Sequence, residues 1–384
     1  MNSAFIPYWA KDNSGIKSIK TYKNADIPAN VIGRGQVKDE KDAWFALVHH
    51  NHPLATDWKI GITEAEACYS PASHLYKQWD FSSTGTSGLS GITRIINLQN
   101  NTVLLARGYD GVVFDYIGNT VIKETPKLYI NAGVSSGLLL DNGKVLLGGG
   151  DSGENALLYD METNTTNSAY NSGLNSIEGL IKLDNGLVFA YSGANGNNTS
   201  LYDPVSDTFS APVNAGSPVI SAILLTNGEV LLCLYNGTLR RYNAAANTWG
   251  TAISHGFGTT MIHMANIGDD KTLIVNANAF KIYNAQTNTL SAITPIPVDS
   301  SIAGIFRIPD NDKVIVLLVS NNGSAQILNT DTGSLTSISK TFSNTITGQA
   351  PGIALSDRVL IAQYIAEADS DIQQLTPVGY SIDL

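Results

Sequence analysis

The stretch LLDNGKVLLG, residues 139–148, returns in altered form as KLDNGLVFAY at 182–191 and as LLTNGEVLLC at 224–233. Each copy has an apolar run, an Asn-Gly pair and a second apolar run. Asn-Gly is the strongest short signal for a hairpin, because both residues tolerate the positive φ of a type I′ turn. The stretch therefore predicts a hairpin that joins two consecutive strands.

This hairpin signal occurs seven times at a regular spacing. If the first apolar residue after each turn is taken as an anchor, successive anchors lie 42, 43, 42, 43, 41 and 45 residues apart. So regular a period indicates an array of similar units. The anchors are Val103, Val145, Val188, Val230, Leu273, Val314 and Val359. The turns that lack Asn-Gly are Asn100-Asn101, Asp270-Lys271, Asn311-Asp312 and Ser356-Asp357.

A third and a fourth strand are predicted after each hairpin. The third strand is rich in Leu, Ile and Tyr and often ends in Tyr-Asp or Tyr-Asn, and the first core residue of the fourth follows that tyrosine by seven positions. Four short strands in about 43 residues form one blade of a β-propeller, and repetition lets each blade pack against two neighbours. The pairs are Tyr202 with Phe209, Tyr242 with Trp249 and Tyr283 with Leu290.

The chain ends predict how the array closes. After Val359, 25 residues remain, which suffice for a second and a third strand of the last blade but not for a fourth. We expect residues 76–88, which contain Trp79, to supply that strand and to pair near residues 379–384. The predicted fold is all-β: a seven-bladed β-propeller over residues 76–384, closed by its N-terminal strand and preceded by a small N-terminal segment, residues 1–75.

Two features give this region a resemblance to the kelch and galactose-oxidase-like propellers. They are NGKVLLGGG at 142–150 followed by LLYD at 157–160, and the Tyr242 to Trp249 spacing. Relatives of galactose oxidase bind copper through two tyrosines and two histidines, and one of these tyrosines is cross-linked to a cysteine. Because Cys233 lies within the apolar run EVLLCLY, we expect a small buried side chain and no copper site there.

Residues 35–61 contain an aromatic pair, Trp44 and Phe45, then Pro53 in a predicted loop, and then Trp58. This pattern resembles the small chitin-binding-type carbohydrate-binding modules of bacterial enzymes and phage tail fibres. The resemblance implies that Trp44, Phe45 and Trp58 stack on sugar rings. The alternative is that these aromatic residues form a small core for the N-terminal segment.

Composition narrows the function classes. The net charge is −10, and residues 1–75 hold 8 Lys and Arg against 8 Asp and Glu, which leaves 15 against 25 for residues 76–384. Excess negative charge argues against binding to nucleic acid or to anionic membranes. The start of the chain lacks the basic and apolar regions of a secretory signal, and no apolar run reaches the length of a membrane span.

No catalytic residue, metal site or cofactor is predicted. His49, His50 and His52 are close in sequence but lack further ligands, so we expect an exposed loop. His263, in MIHMAN, is expected on an inner strand, where it bonds to neighbouring groups. The acidic pairs at 310 and 312 and at 369 and 371 fall in predicted turns, where Asp bonds its own backbone.

The leading hypothesis is a nonenzymatic recognition or structural module of a bacteriophage tail, located in the virion. Its partners would be other tail proteins or a glycan of the host surface, without nucleic acid and without membrane insertion, and the sequence leaves a homo-oligomer open. One alternative is a polysaccharide lyase or hydrolase with its site at the mouth of the propeller channel. The other is an intracellular kelch-type scaffold for protein interactions. The fold alone does not choose among them.

Overall fold

The computed structural model shows an all-β chain, with strands and no helix among the residues that it describes. The described residues are 11–12, 15–16, 33–36, 44–47, 75–86, 92–130, 133–150, 154–167, 170–194, 196–258, 262–276, 279–296, 301–308, 314–319, 324–330, 333–341, 352–355, 359–363 and 371–382.

The chain divides into two compact units, one made of residues 1–80 and 376–384 and the other of residues 81–375. The first unit contains two small antiparallel ribbons near the N-terminus. They are β1 (Lys11–Asp12) with β2 (Gly15–Ile16), and β3 (Gly33–Gln36) with β4 (Trp44–Leu47). The strand that follows is β5 (Leu75–Thr86).

Seven antiparallel sheets of four or five strands are found in the described part of the chain, and the first six lie wholly within the second unit. Sheet 1 holds β6 (Arg94–Asn97), β7 (Thr102–Arg107), β8 (Asp110–Asp115) and β9 (Thr120–Glu124). Sheet 2 holds β10 (Val134–Leu139), β11 (Lys144–Gly149), β12 (Glu154–Asp160), β13 (Thr165–Thr166) and β14 (Tyr170–Asn171). Sheet 3 holds β15 (Gly179–Lys182), β16 (Val188–Tyr191), β17 (Asn198–Asp203), β18 (Thr208–Phe209) and β19 (Val213–Asn214).

The remaining sheets repeat this order. Sheet 4 holds β20 (Val219–Leu224), β21 (Val230–Leu234), β22 (Thr238–Asn243), β23 (Thr248–Trp249) and β24 (Ile253–Ser254). Sheet 5 holds β25 (His263–Gly268), β26 (Lys271–Asn276), β27 (Ala279–Asn284), β28 (Thr289–Leu290) and β29 (Thr294–Pro295). Sheet 6 holds β30 (Ser301–Arg307), β31 (Val314–Val319), β32 (Ser324–Leu328) and β33 (Leu335–Thr341). Sheet 7 holds β34 (Gly352–Ala354), β35 (Val359–Gln363), β36 (Asp371–Ile382) and β5, in that order.

The predicted spacing between the third and fourth strands is confirmed. Tyr202 faces Phe209 in the strand register, Tyr242 faces Trp249, and Tyr283 faces Leu290. The centroids of the Tyr242 and Trp249 rings lie 4.7 Å apart, which is within the range of distances at which aromatic pairs are stabilising.

The predicted turn type is wrong at the Asn-Gly pairs, although each of these pairs does join the first strand to the second. Gly143 has a φ of 81° and donates its N–H to the Leu140 carbonyl, while Asn142 keeps an ordinary negative φ. This is a type I turn followed by a glycine bulge. The Asn142 side chain accepts a hydrogen bond from the Lys144 N–H, which holds the residue in that conformation.

Paired positive φ values occur instead in sheets 1 and 5. Asn100 and Asn101 have φ of 57° and 59°, and Asp269 and Asp270 have φ of 47° and 56°. The turn of sheet 5 therefore lies at Asp269-Asp270, one residue before the predicted Asp270-Lys271.

The anchor of sheet 5 shifts in the same way. Thr272, and not Leu273, pairs with Tyr283 in the way that Val230 pairs with Tyr242. The polar residue was missed because anchors were sought among apolar ones. Thr272 is fully buried, and its hydroxyl donates a hydrogen bond of 3.1 Å to Asn266, which makes this burial tolerable.

Each hydrophobic cluster joins two neighbouring sheets. The Leu231 and Cys233 side chains of sheet 4 pack with Ile274 and Tyr283 of sheet 5, for example. Leu360 of sheet 7 lies in one cluster with Val103 of sheet 1. The first strands also contact one another in order, β6 with β10, then β15, β20, β25, β30 and β34, and β34 contacts β6.

Candidate functional site

The first strands of sheets 1 to 5 share an equivalent position near their beginnings. Most side chains at this position are small. The register aligns these positions, since each lies opposite the same place on the second strand. Their occupants in sheets 1 to 5 are Arg94, Ser136, Gly179, Ser221 and His263. Arg94 and His263 are therefore the large polar side chains of this set.

Arg94 reaches from sheet 1 to sheet 2. Its Nε donates a hydrogen bond to the Ser135 carbonyl, and its Nη1 donates one of 2.7 Å to the Thr93 carbonyl. Burial lowers the pKa of the guanidinium, and the negative charge of nearby Glu178 opposes this shift. Since an arginine stays charged in proteins, the group is a half-buried cation with donors left for a further partner.

Glu178 and Tyr191 come from sheet 3, close to Gly179. A Cβ at Gly179 would lie 2.1 Å from the Tyr191 ring, so the glycine makes room for the phenol. The Glu178 stem packs on Gly193 in the same way. Among the residues that the structure describes, no direct ion pair joins Glu178 to Arg94. The two side chains therefore interact electrostatically without a direct contact.

Tyr191 is kept neutral by this environment. Burial is the main cause that raises its pKa to about 12. The Glu178 carboxylate acts in the same direction, whereas Arg94 and a hydrogen bond to the Ala222 main chain oppose the shift. The phenol is therefore a hydrogen-bonding group near neutral pH and not a base.

His263 is on β25, the first strand of sheet 5, and it bonds to a neighbouring group as predicted; that this strand is an inner one stays a prediction. Its Nε2 lies 3.2 Å from the Ile302 carbonyl oxygen in sheet 6, so this nitrogen carries the proton when the ring is neutral. Burial lowers the pKa of the imidazole. His263 therefore ties two sheets together as a neutral donor.

Further hydrogen bonds fix the first strands beside the cluster formed by Arg94, Glu178 and Tyr191, which we call the inner polar cluster. The Thr93 hydroxyl donates to the Val134 carbonyl at 3.1 Å, and the Ser135 hydroxyl donates to the Ile177 carbonyl at 2.6 Å. Each bond links one sheet to the next. The cluster thus rests on a rigid frame, which suits recognition because little order is lost on binding.

The cluster offers a cation, an anion and a neutral phenol at close quarters, an arrangement that can bind a polar ligand. No group of three or more His, Cys, Asp and Glu residues in the described part of the chain is placed to hold a metal ion. Cys233 is fully buried, as predicted, and burial raises the pKa of its thiol to about 12, so it is not a nucleophile at neutral pH.

The sequence-predicted sugar-binding residues are separate from this cluster in sequence and belong to the first unit. Trp44 and Phe45 are adjacent positions of β4, opposite Gln36 and Gly35 of β3. Trp58, and the histidines at 49, 50 and 52, lie outside the described residues, so sugar stacking there stays a prediction.

Sequence reasoning missed Arg94, Glu178 and Tyr191 because each lies in or beside an otherwise ordinary strand. A signal was present in the repeats themselves. Once the first strands are aligned, a large charged residue occupies the position at which sheets 2, 3 and 4 have Ser or Gly. Comparing equivalent positions between repeats would have found Arg94.

Comparison with known proteins supports the architecture. No protein-family model matches the chain, and no curated protein matches it. Among solved structures, virginiamycin B lyase from Staphylococcus aureus is similar over 78% of this chain and 99% of its own, with a TM-score of 0.62 and 12% identity. A structure titled streptogramin B lyase covers 81% of this chain and 98% of its own, with a TM-score of 0.57 and 13% identity.

The WD40 repeats of RRP9 cover 77% of this chain and 97% of their own, with a TM-score of 0.61 and 10% identity. At these identities the likeness concerns the fold alone. The part of the chain that these structures match therefore consists of β-propeller repeats. Within the described residues, no helical segment has the length and apolar character needed to cross a bilayer.

Proposed function

We propose that the sheets form one closed seven-bladed propeller that acts as a nonenzymatic recognition module. Closure is supported by the cyclic contacts of the first strands and by the packing of Leu360 against Val103. The position of β5 at the edge of sheet 7 supports the shared last blade. Kinship with kelch proteins in particular stays a prediction.

The inner polar cluster carries the proposal of recognition. Arg94 is bound to main-chain carbonyls and Tyr191 is neutral, while the Glu178 carboxylate forms no ion pair with the residues that the structure describes. A lone carboxylate beside a fixed cation suits the binding of a polar ligand. Catalysis would need a second group poised to exchange a proton.

The partner is proposed to be another protein or a surface glycan. WD40 repeats share the fold, and exposed propeller loops on a rigid frame are suited to partner binding. We propose a location in a bacteriophage tail, on the basis of the low content of charged residues, 15%, and of the resemblance of residues 35–61 to modules of phage tail fibres. Immunogold labelling of virions from the source would test that location, and labelling absent from the tail would refute it.

Binding is tested with two matched variants, Arg94→Met and Glu178→Gln, screened with the intact protein against a glycan array and tail-protein lysates. We expect both to lose the partner that the unmodified chain captures. Lys182→Met, which removes an exposed lysine of sheet 3, is the control. Equal capture by all four proteins would exclude the inner polar cluster as the site.

A second candidate is an enzyme that cleaves polysaccharide at the channel mouth. The similarity to two structures titled as lyases favours it, although it extends only to the fold. Incubation with a polysaccharide panel, followed by measurement of new reducing ends and of unsaturated products, separates this candidate from the first. Product formation that disappears in Glu178→Gln would favour the enzyme.

A further inference from the structure

A groove of about 400 Å³ opens between sheets 5 and 6, in the second unit. Its charged residues are Asp269, in the turn between the first and second strands of sheet 5, and Lys271, at the start of β26. Both side chains are exposed. Neither forms an ion pair in the part of the chain that the structure describes.

The repeats explain why this groove is open. The strand registers make Lys271 and Ile282 of sheet 5 the counterparts of Glu229 and Arg241 of sheet 4. In sheet 4, Arg241 forms an ion pair with Glu229 and donates a hydrogen bond of 3.1 Å to the Ala285 carbonyl of sheet 5. That arginine spans the interface between sheets 4 and 5.

The interface between sheets 3 and 4 is closed by other means. There the equivalent positions are Leu187 and Leu201, which pack with Ala244 of sheet 4 in one apolar cluster. Between sheets 5 and 6, the shorter Ile282 replaces the arginine, and Thr330 takes the place of Ala285. The groove is thus the space that Arg241 fills one sheet earlier.

The replacement also reverses the charge. Where sheet 4 has the Glu229 carboxylate, sheet 5 presents the Lys271 ammonium group. A ligand in the groove can therefore pair an anionic group with Lys271. A carboxylate is favoured over a larger dianion because the Asp269 carboxylate belongs to the same groove.

The remaining lining suits a ligand with several hydroxyl groups. Within the described residues, the Asp269 carboxylate has no hydrogen-bond donor of its own. Asn284 uses its Oδ1 for turn N–H groups, so its amide N–H groups can donate to a ligand. Thr289 also lines the groove, and its hydroxyl lies 2.7 Å from that of Thr287. Ile267 and Ile282 supply an apolar floor, against which the C–H face of a sugar ring can lie. The volume is within the range of small-molecule sites.

We propose that this groove binds a carboxylate-bearing sugar, such as a hexuronate unit of an acidic glycan, with its carboxylate on Lys271 and its hydroxyls on Asp269 and Asn284. The proposal does not depend on the inner polar cluster.

Saturation-transfer NMR and calorimetry with the full chain and galacturonate test the proposal. We expect galacturonate to bind. Galactose, which lacks the carboxylate, and acetate, which lacks the hydroxyl groups, should each bind about tenfold more weakly. Lys271→Met is expected to weaken galacturonate binding about tenfold. Lys144→Met is the matched control, since Lys144 holds the same position in sheet 2, and it should leave binding unchanged.

The double variant Lys271→Glu with Ile282→Arg copies the ion pair of sheet 4 into sheet 5 and should fill the groove. We expect it to keep the melting temperature of the unmodified protein and to lose galacturonate binding, which separates loss of the site from loss of folding. The proposal is overturned if galacturonate does not bind the unmodified chain. It is also overturned if the filled variant binds equally well, or if galactose and galacturonate bind alike.

Discussion

At the scale of single residues, one hydrogen bond recurs between the third and fourth strands of sheets 2 to 5. The tyrosine at the last position but one of the third strand donates its hydroxyl to a side chain five positions later, with oxygen–oxygen distances of 2.6 to 2.9 Å. The acceptors are Asn164, Asp207, Asn247 and Asn288, all with positive φ. Asn and Asp suit both tasks, because they tolerate the left-handed region and carry an acceptor.

Substitution of Asn247 separates the two tasks. Asn247→Gly removes the acceptor for Tyr242 but allows the φ of 50°, so we expect a loss of about 1 kcal/mol in unfolding free energy. Asn247→Ala adds backbone strain, and we expect about 2 to 3 kcal/mol. Urea unfolding measures both values. Equal losses would show that the backbone conformation costs nothing.

Gly149 is required for a close approach between two strands. A Cβ there would lie 1.9 Å from the Gly133 carbonyl oxygen, and this main-chain atom cannot move aside cheaply. We expect Gly149→Ala to lower the unfolding free energy by about 1 to 3 kcal/mol.

The matched control is Gly250→Ala, whose new Cβ would meet its nearest neighbour at 3.5 Å without positive φ. This variant should fall within about 0.5 kcal/mol of the unmodified protein. A similar loss for both glycines would mean that close approach is not the reason for Gly149.

At the scale of elements, turn chemistry differs between repeats of the same length. The turn at Asn100 and Asn101 has positive φ at both residues, the geometry in which Asn-Gly is preferred. We expect Asn101→Gly to raise the unfolding free energy by several tenths of a kcal/mol, since glycine adopts a φ of 59° without a Cβ clash. Thermal unfolding measures the gain.

The contrasting variant is Gly143→Ala, in the type I turn with a glycine bulge. Its φ of 81° disfavours any Cβ, so we expect a loss of about 1 kcal/mol or more. A gain from Gly143→Ala, or a loss from Asn101→Gly, would contradict the turn types described above.

The spacing of the elements could be predicted from the sequence, and their fine structure could not. The seven-residue interval fixes the pairing of Tyr242 with Trp249, because the residue numbers of the two partners in an antiparallel ladder always add up to the same value. In sheets 2 to 5, however, the fourth strand is broken into two short pieces. The Leu201 N–H bonds to the Ser210 hydroxyl, which replaces a main-chain partner at the break.

Arg94 could have been found by comparing the repeats, but its proximity to Glu178 was beyond prediction for a related reason. Arg94 and Glu178 are 84 positions apart and meet through the packing of sheets 1, 2 and 3, which no local pattern encodes. His263 was predicted on its inner strand because it sits within an apolar alternation. Its partner, the Ile302 carbonyl, depends on the neighbouring sheet.

At the scale of the whole molecule, buried tyrosines predict the response to alkaline pH. Burial raises the pKa of Tyr159 and of Tyr191 to about 12, from an ordinary value of 10.0. A raised pKa stabilises the folded chain fully below pH 10, and this stabilisation is lost as pH rises from 10 towards 12.

We therefore expect the unfolding free energy to fall steeply across that window, by about 1.4 kcal/mol per pH unit for each such group. Urea unfolding at several alkaline pH values measures the slope, and Tyr191→Phe should reduce it. A slope that is unchanged in this variant would place the sensitivity elsewhere.

The last sheet makes a second prediction at this scale. A chain that begins at residue 75 keeps β5, and one that begins at residue 87 lacks it, while both lack the N-terminal ribbons. Without β5, the edge of β36 is unpaired, and an exposed edge favours association. We expect the shorter chain to melt roughly 5 °C lower or more and to aggregate. Circular dichroism and size-exclusion chromatography compare the two, and equal behaviour would argue against the shared sheet.

The pairing of β5 with β36 has a consequence for biosynthesis. β5 ends at Thr86 and β36 begins at Asp371, so the ribosome makes β5 long before β36. β5 therefore stays unpaired while the first six sheets are translated. A chain that stops just before β36 would therefore have its first six sheets complete and β5 unpaired. The exposed edge of β5 could pair with other chains, and such species are targets of chaperones and proteases.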